Sequence, residues 1–600
     1  MHNANSDKKP LLSSLIHNGI LIPPLPQAYG LVLAVRGRDL ALNPKQEEMV
    51  MAWARKQGTP YVEDAVFVRN FMQDLSTALG FAPRLSLEEV DFSPAVRLVE
   101  AERAARDSLT QEQRKARAAE RKTQREALKE RFGYAMVNGE RSELGTYMTE
   151  PSGIFMGRGK HPLRGRWKDG ARQCDVTLNL SPDAPRPPGD WREIVWQPDG
   201  LWVARWKDVL SDKTKYIWLA DTASAKQQRE AHKFDKASEL RRRLAQVRDH
   251  INQGLSDPDP KRRRIATAVY LIDVLGLRVG DEKDPDEADT VGATTLRPEH
   301  VTLRADGVAE FRFLGKDSVL WDKELDLPEA LQRNLSDLIQ NARPPRVADP
   351  SKRHPTRDRP QLFPGVSSHD VNAFLGEVLP GLTAKVFRTH HATERVEQSL
   401  ASSGVSSEDP EYRKWQATTL ANVEAAAFCN HTRKASEGWR ARKEKLLERQ
   451  RAGEEKLARY RGEVAELKAA LASLRREVRD VRKNTADDRQ GHRQAVRLQK
   501  KAAVVERKLD GAQQRLDRQQ QSLGKLKAQA VVAGKSKSWN LTTSLKSYID
   551  PRVFHRWGRE VDYDVLGRYY STTLQRKFSW VRQGDEPEDE SVRERLSGAA

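Results

Sequence analysis

The sequence predicts a mixed α/β, multidomain protein with a strand-containing N-terminal part, a mainly helical central part and an antiparallel coiled coil. Strand-rich and helix-rich blocks alternate along the chain, as judged from the spacing of apolar residues and of Gly and Pro. One long heptad pattern then covers residues 457–530. With 600 residues, the chain is long enough to bury several hydrophobic cores.

The charge of the chain indicates a polyanionic partner. The formal net charge is +19 and the sequence pI is near 9.7, which favours nucleic acid or an anionic membrane surface. We find no signal peptide and no apolar run long enough to span a bilayer. The two cysteines, Cys174 and Cys429, argue against a disulfide framework and fit a reducing compartment. We therefore expect an intracellular protein without a membrane partner.

Turn and capping signals predict the N-terminal elements. They are a short strand over residues 19–22, a helix from residue 44, a helix over residues 61–81, and two highly charged helices between residues 95 and 132. Asn43 followed by Pro44 is a typical helix start. Thr110 and Gln113 form a capping-box pair that starts the second charged helix.

From residue 153 the pattern changes to short strands and loops. Residues 155–162 combine glycines with basic side chains, among them Arg158 and Lys160. Glycines allow close approach of the backbone, and an arginine between them can reach into a DNA groove. An ordinary turn is the alternative interpretation. The tryptophans of the following strand-rich region are predicted to lie in its core.

Two further elements present basic residues. Helical spacing over residues 265–275 predicts a helix that ends at Gly280 and holds Arg278 in its last turn. Residues 311–318 predict a strand that leads into a hairpin tip, where Lys316 is exposed. Such a lysine is usually solubilising, although a protruding hairpin also suits a probe into a DNA groove.

No metal or nucleotide site is predicted. The acidic segment 281–289 fails the EF-hand pattern, since Ala288 replaces an oxygen ligand. Cys429 and His431 end a predicted helix but lack the further Cys or His pair that a zinc site needs. Gln529 replaces the first glycine of a would-be phosphate-binding loop. We therefore expect no cofactor.

The clearest periodicity predicts an antiparallel coiled-coil hairpin. Apolar residues recur at alternating steps of three and four in two runs that a polar break at residues 484–488 separates. The first run is Leu457, Tyr460, Val464, Leu467, Leu471, Leu474, Val478 and Val481. The second, interrupted by Gln519, is Leu498, Ala502, Val505, Leu509, Ala512, Leu516, Leu523, Leu526 and Ala530.

A polar segment near the C-terminal end, residues 543–552, contains Tyr548 between cationic residues. Pro551 restricts Asp550 and lacks an N–H donor, which predicts a turn before a further helix. A tyrosine at such a place is usually a packing residue with a hydrated hydroxyl. Cations from separate segments would make it a candidate nucleophile if they converged on it: Arg278, Lys316, Arg388 and His431.

Six separated segments resemble the type IB DNA topoisomerases of the eukaryotic form. They are residues 155–162; 275–280 with 288–292; 313–318; 382–389; 429–431; and 548–552. Their order matches the family, and the coiled coil lies where the family has its linker. Each motif alone is weak, but six in order are specific, and together they cover nearly the whole chain.

The resemblance implies a catalytic set made of Tyr548, Arg278, Lys316, Arg388 and His431. Tyr548 would attack a DNA phosphorus, while the arginines and the histidine stabilise the developing charge and Lys316 protonates the departing 5′ oxygen. Supercoiled DNA would be relaxed through a 3′-phosphotyrosine intermediate, strand rotation and religation. No ATP and no metal would be required, because the phosphotyrosine bond retains the energy for religation.

The resemblance also implies how the chain binds its partner, double-stranded DNA, through the phosphate backbone and the minor groove. The implied contacts come from Arg158, Lys160, Lys385, Asp317, Asn430 and Ser547. Ser547 stands where the eukaryotic enzymes usually have asparagine, and His390 stands where tyrosine is common. We expect a monomer.

The implied architecture is a DNA clamp. Its predicted parts are an N-terminal cap (1–215), a catalytic core of the tyrosine recombinase and topoisomerase IB type (216–434), a coiled-coil linker (435–534) and a C-terminal domain that carries Tyr548 (535–600). The expected location is intracellular and DNA-associated, on a bacterial nucleoid or in a nucleus.

Two other classes of protein share part of the pattern. Tyrosine recombinases use a similar set of Arg, Lys, Arg, His and Tyr. They normally carry histidine three residues before the second arginine, where Lys385 stands here, and they lack a coiled coil between the last histidine and the tyrosine. A non-catalytic basic chromatin protein would account for the charge and the heptads but not for the six motifs. The sequence therefore favours the topoisomerase.

Overall fold

The computed structural model describes residues 11–24, 26–157, 159, 161–280, 291–316, 319–343, 359–484 and 489–583. This part of the chain forms two compact units. The first contains the described residues up to Val386 together with those from Arg576 onward, and the second is Phe387–Gln575. Among the described residues, no helix has the length and hydropathy needed to cross a bilayer. The mixed α/β class is confirmed.

The first unit opens with small antiparallel sheets and amphipathic helices. The elements are β1 (Leu15–His17), β2 (Val32–Val35), β3 (Arg38–Ala41), α1 (Pro44–Ala54), α2 (Ala65–Leu79), β4 (Val90–Asp91), α3 (Ser93–Asp107), α4 (Gln111–Phe132), β5 (Tyr134–Val137) and β6 (Glu140–Glu143). The strand orders are β1-β5-β6 and β3-β2-β4. A core around Trp53, which stacks on Phe71 at 4.6 Å, holds α1 and α2 together.

Capping signals in this region are confirmed, whereas the predicted first strand is wrong. Asn43 accepts from the Gln46 N–H at 3.0 Å, and Thr110 accepts from the Gln113 N–H at 3.2 Å. The strand lies at Leu15–His17 instead of residues 19–22, because the chain pairs there with β5. Gly19 has φ +79° and interrupts the strand before the apolar residues that follow it.

A second group of six strands forms a two-stranded and a four-stranded sheet. The strands are β7 (Gly153–Ile154), β8 (Trp167–Lys168), β9 (Val176–Asn179), β10 (Glu193–Val195), β11 (Trp202–Lys207) and β12 (Thr214–Trp218). Strands β7 and β8 pair with each other, and the order of the larger sheet is β10-β9-β11-β12. Trp202 and Trp206 are buried as predicted, whereas Trp218 on the edge strand is 40% exposed. Arg158 and Lys160 lie outside the described residues.

The central part combines helices with a three-stranded sheet of order β13-β14-β15. Its elements are α5 (Ser224–Leu255), α6 (Pro260–Leu275), β13 (Val301–Leu303), β14 (Val308–Gly315), β15 (Val319–Asp326), α7 (Glu329–Asn341), α8 (Ser368–Val378) and α9 (Ala384–Ala401). This part also contains short 3₁₀ turns at Ala293–Thr295 and Pro298–His300. Earlier in the chain, such turns occur at Pro60–Glu63 and Gln173–Asp175. The predicted hairpin is confirmed, since Gly315 pairs with Val319 and Lys316 follows β14 directly.

The predicted end of the Arg278 helix is wrong. Helix α6 ends at Leu275, and Gly276 caps it with φ +66°. Arg278 therefore lies beyond the helix and not in its last turn. Gly280 also has a positive φ of +79°, but it serves a close approach to Gly292 rather than a helix end.

The remaining elements are helical. They are α10 (Glu411–Phe428), α11 (Trp439–Asn484), α12 (Arg489–Ser536), α13 (Leu541–Ser547), α14 (Pro551–Glu560), α15 (Val565–Arg568), α16 (Thr572–Lys577) and α17 (Trp580–Gln583). The long helices α11 and α12 pair in opposite directions, as the ion pairs Arg475–Glu506 at 2.7 Å and Lys527–Glu454 at 2.9 Å show. One predicted heptad position is buried throughout α11: Leu457, Val464, Leu471 and Val478. Gln519, the polar residue that interrupts the apolar positions of α12, donates to the Gly453 carbonyl of α11 at 3.0 Å. This hydrogen bond accounts for a polar residue between the two helices.

Candidate active site

Tyr548 lies in a short connection between two helices of the second unit. Its N–H donates to the Ser544 carbonyl at 2.9 Å, which closes the last turn of α13. Two residues later, the Asp550 side chain accepts from the Arg552 N–H at 3.0 Å and caps α14, with Pro551 at the first helical position. The Tyr548 side chain is only 4% exposed. The local sequence thus fixes this tyrosine between a helix end and a helix start.

Helix α9 holds the same connection from the side. The Thr393 hydroxyl accepts from the Asp550 N–H at 3.1 Å and donates to the Tyr548 carbonyl at 3.4 Å. The Asp550 carboxylate also binds the Arg552 guanidinium, with Nη2 to Oδ2 at 2.8 Å. Because Arg388 is on this helix as well, α9 sets the position of an arginine and of the tyrosine backbone together.

Arg388 is a buried cation beside the tyrosine. The residue is 2% exposed, and its Nη2 donates to the Cys429 carbonyl at 2.8 Å. The guanidinium carbon lies 4.9 Å from the centre of the Tyr548 ring. A guanidinium is permanently charged and only donates, so Arg388 offers a fixed cation to an anionic oxygen beside the tyrosine.

His431 completes a three-residue cluster with Arg388 and Tyr548. The imidazole centre is 5.1 Å from the Tyr548 ring centre, and Nε2 is 3.4 Å from Nη2 of Arg388. Its other nitrogen, Nδ1, is 2.8 Å from Oγ of the fully buried Ser544. Since a guanidinium only donates, the lone pair is assigned to Nε2 and the proton to Nδ1, which then donates to Ser544. Ser544 thus orients the ring.

The turn before His431 depends on Asn430. Helix α10 ends at Phe428, and Asn430 adopts φ +51°, a left-handed conformation that asparagine tolerates better than most residues. The His431 N–H then donates to the Ala426 carbonyl at 2.9 Å. A role of Asn430 in binding DNA stays a prediction, although its backbone conformation already places the histidine.

Three other tyrosines in the C-terminal part are less suited to attack. Burial raises the pKa of Tyr563 and of Tyr569 to about 12, and it raises the pKa of Tyr570 well above its usual value. A raised pKa disfavours the phenolate that a nucleophile needs. The Tyr569 hydroxyl is also engaged, since it accepts from the Asn422 side chain at 2.9 Å.

Arg278 belongs to the first unit and lies in a crossing of two backbone segments. The Arg278 carbonyl accepts from the Ala293 N–H at 2.8 Å. A Cβ on Gly292 would stand 2.5 Å from Cα of Gly280, so the crossing requires glycine on both segments. Next to it, the Val291 N–H donates to the Leu314 carbonyl at 2.8 Å and attaches this crossing to the hairpin of β14.

Lys316 is exposed at the tip of that hairpin. Within the first unit, one backbone path of hydrogen bonds therefore connects the segment that carries Arg278 to the hairpin that carries Lys316. Lys385 is exposed in the first turn of α9, and Ser547 is half-buried at the end of α13. Asp317, like the basic pair of the 155–162 segment, lies outside the described residues. The DNA contacts proposed for these residues stay predictions.

Sequence reasoning missed two residues of this site, Ser544 and Thr393. Ser544 is within the segment that contains the tyrosine, four residues before it, so its place on the same helical face was a usable signal. Thr393 follows Arg388 by five residues and gave no such signal. Both act through packing of elements that are far apart in the sequence.

Three family models match consecutive parts of the chain. Residues 12–219 match the model described as eukaryotic DNA topoisomerase I, DNA binding fragment. Residues 222–464 match the eukaryotic DNA topoisomerase I catalytic core, and residues 520–589 match the C-terminal topoisomerase domain. The last of these matches contains Tyr548.

The chain is also similar to curated relatives. It is 33% identical over 442 residues to DNA topoisomerase 1 beta of Arabidopsis thaliana, which covers 72% of this chain and 46% of the relative. It is 34% identical over 434 residues to DNA topoisomerase 1 of Candida albicans, which covers 70% of this chain and 53% of the relative. The human protein named DNA topoisomerase I, mitochondrial, is 30% identical over 571 residues, with 93% and 87% covered. The chain thus spans about half the length of the plant and fungal relatives and most of the human one.

Proposed function

This chain belongs to the eukaryotic DNA topoisomerase I family, and we propose on that premise that it relaxes supercoiled duplex DNA by transient cleavage of one strand. The observation that carries the proposal is the buried cluster of Arg388, His431 and Tyr548. It combines a nucleophile, a permanent cation and an oriented imidazole, with separations of 4.9 and 5.1 Å from the tyrosine ring. Phosphodiester transfer to a side chain needs this combination.

In the proposed reaction, the Tyr548 hydroxyl releases its proton to water, and its oxygen attacks a DNA phosphorus. A phosphorus–tyrosine bond forms, the bond to the 5′ oxygen breaks, and the 5′ oxygen takes a proton from Lys316. Arg388, His431 and Arg278 stabilise the charge on the non-bridging oxygens. One ester bond replaces another, so the 5′ hydroxyl can later reverse the step without ATP.

The proposed reaction requires a change in the protonation or tautomer of His431. Without DNA, its Nε2 faces Arg388 at 3.4 Å and accepts. When a phosphate oxygen arrives, Nε2 has to donate, which requires a second proton on the ring or the other tautomer. Ser544 suits both cases, because a hydroxyl can accept from Nδ1–H or donate to an unprotonated Nδ1.

We further propose that helices α11 and α12 form the coiled-coil linker of a DNA clamp. The buried seam of Leu457 and its heptad equivalents supports this assignment. The catalytic residues proposed above all lie outside the two helices, so the linker would tune rotation of the cut strand rather than supply chemistry. Double-stranded DNA is the proposed partner, and its polyphosphate backbone complements the net charge of +19.

A plasmid relaxation assay tests the function. Purified full-length chain should relax negatively supercoiled plasmid in the presence of EDTA and without ATP, and it should produce a ladder of topoisomers. Heat-treated protein and protein with Tyr548→Phe serve as controls for contaminating enzymes. A requirement for ATP or for a divalent metal, or relaxation that survives Tyr548→Phe, would contradict the proposal.

A further inference from the structure

Three side chains on α9 that the proposed reaction does not use converge on one point. They are His390, His391 and Glu394. Glu394 Oε2 lies 3.8 Å from Nε2 of His390 and 3.7 Å from Nδ1 of His391. One ligand atom of each residue lies within 4.8 Å of the other two. Glu394 follows His390 by four residues and His391 by three, and both spacings make side chains neighbours on the surface of a helix.

We propose that these three residues form a binding site for a divalent transition metal of the zinc type. Two imidazole nitrogens and one carboxylate oxygen are a donor set that zinc uses, with water in the fourth position. The nitrogen–oxygen separations are too long for direct hydrogen bonds, which need about 2.7–3.2 Å. They suit an ion between the groups, since bonds of about 2.0–2.2 Å at a tetrahedral metal leave ligand atoms roughly 3.3 Å apart. Small side-chain rotations close the difference.

The burial of the three side chains supports a site that is open on one side. The His390 and His391 side chains are 2% and 11% exposed, whereas Glu394 is 32% exposed. An ion therefore has an entry path along the carboxylate and a shielded position at the imidazoles. The His391 ring packs on Phe428 with 5.2 Å between ring centres, which restricts its orientation before any metal arrives. A restricted ligand loses less entropy on binding.

The site lies next to the reacting groups without being part of them. Thr393, the residue before Glu394, holds the backbone around Tyr548 through its hydroxyl. Metal binding would stiffen this turn of α9 and so stabilise the folded chain, since a ligand that binds only the native state adds to its stability. In the sequence, these residues form the pattern His-His-x-x-Glu over positions 390–394.

Titration of the metal-stripped full chain with Co²⁺, followed by visible absorption and competed with Zn²⁺, tests the site without DNA. We expect one equivalent to bind with the absorption of a low-coordinate nitrogen and oxygen site, and Zn²⁺ to raise the melting temperature. Glu394→Gln and His391→Gln should each lower the affinity by more than the roughly ten- to hundredfold that loss of an outer-shell partner costs. Both changes keep side chains of similar size, and His390 stays in place to preserve the core.

The matched control is His232→Gln. His232 is 83% exposed and lies 3.9 Å from Asp235, so it offers an ordinary surface pair of imidazole and carboxylate. This variant should bind Co²⁺ as the unchanged chain does. Binding that survives both α9 variants, or binding no tighter than exposed histidines provide, would overturn the proposal. Because no DNA is present, the outcome is independent of the relaxation activity.

Discussion

Ser544 is a residue without a predicted role that controls the orientation of His431 in the candidate active site. Its hydroxyl is 2.8 Å from Nδ1 of His431, and both side chains are buried. Without this contact the imidazole would lose the group that fixes its rotation and its tautomer. Ser544 is thus a positioning residue that acts through His431.

Replacement of Ser544 by alanine should lower the cleavage rate about tenfold, which corresponds to roughly 1.4 kcal/mol of transition-state stabilisation. A double-mutant cycle gives the decisive measurement. Ser544→Ala added to His431→Ala should cause no further loss, because the residue through which Ser544 acts is already absent. The control Thr542→Ala removes an exposed hydroxyl from the same helix and should leave the rate unchanged. Additive losses would show that Ser544 acts elsewhere.

The proposed acid role of Lys316 can be distinguished from the role of the nucleophile by a change of the leaving group. Lys316→Ala should lower cleavage of ordinary DNA by about 10²- to 10⁴-fold, the usual contribution of a general acid. A substrate with sulfur at the 5′-bridging position needs little protonation and should restore the rate of this variant. Lys323→Ala, on β15 of the same hairpin, is the matched control and should cleave both substrates normally. Failure of the sulfur substrate to rescue Lys316→Ala would remove the proposed acid role.

At this scale, the sequence could predict residues that carry charge or nucleophilic chemistry but not those that only orient them. The Arg388, His431 and Tyr548 positions follow from motifs that the family resemblance makes visible. Thr393 acts on Tyr548 across 155 residues of sequence, and Ser544 acts on His431 across 113. Such contacts arise when helices pack, and hydroxyl residues are too common for their spacing to indicate them.

At the level of secondary-structure elements, Arg278 is positioned by a crossing of two backbone segments, residues 278–280 and 292–294, and not by a helix. The Arg278 and Val279 carbonyls accept from the N–H groups of Ala293 and Thr294, both at 2.8 Å. The two backbones approach so closely that any side chain on Gly292 meets Gly280. The position of Arg278 therefore depends on the absence of a Cβ at a residue that never touches DNA in the proposed mechanism.

Gly292→Ala should force the crossing apart. We expect a loss of about 1–3 kcal/mol in the free energy of unfolding, as for overpacking in a core. The relaxation rate should fall by up to about 100-fold, because a displacement of roughly 1 Å in a catalytic group can cost that much. Gly376→Ala, inside α8 with open space around the glycine, is the control and should be neutral or stabilising. Equal behaviour of the two variants would contradict this role of the crossing.

The elements also show where pattern reasoning works and where it fails. Heptads and capping boxes are local and repeated, so α11, α12 and the start of α4 could be predicted from neighbouring residues alone. The end of α6 could not, because Gly276 and Gly280 both adopt positive φ and only the tertiary contact with Gly292 distinguishes their roles. The first strand failed for a similar reason, since its partner β5 lies more than a hundred residues away.

For the whole molecule, charge is the property that predicts behaviour most directly. The net charge of +19 points to contacts with phosphates rather than with base edges. Binding should therefore depend steeply on salt, with the logarithm of the association constant falling by about 0.9 per neutralised phosphate for each unit of log salt concentration.

Fluorescence anisotropy with a labelled duplex over a range of KCl concentrations measures this slope. Lys385→Ala should reduce its magnitude by about one if Lys385 contacts a phosphate. Lys45→Ala, which removes a lysine that pairs with Asp169 at 2.8 Å, is the control. An affinity that hardly changes with salt would mean that the charge of the chain does not drive binding.

The central claim is that Tyr548 forms the covalent bond to DNA, and trapping of the adduct tests it most directly. A nicked substrate from which the short fragment with the new 5′ hydroxyl diffuses away should leave full-length protein attached to the 3′ end of the remaining strand, and peptide mapping should place the DNA on Tyr548. Tyr548→Phe removes only the attacking oxygen, so it should fold and bind DNA normally and give no adduct. Tyr569→Phe removes a buried hydroxyl from the same region and should still give one. An adduct formed by the Tyr548→Phe protein, or a 5′-linked adduct from the unchanged chain, would contradict the account.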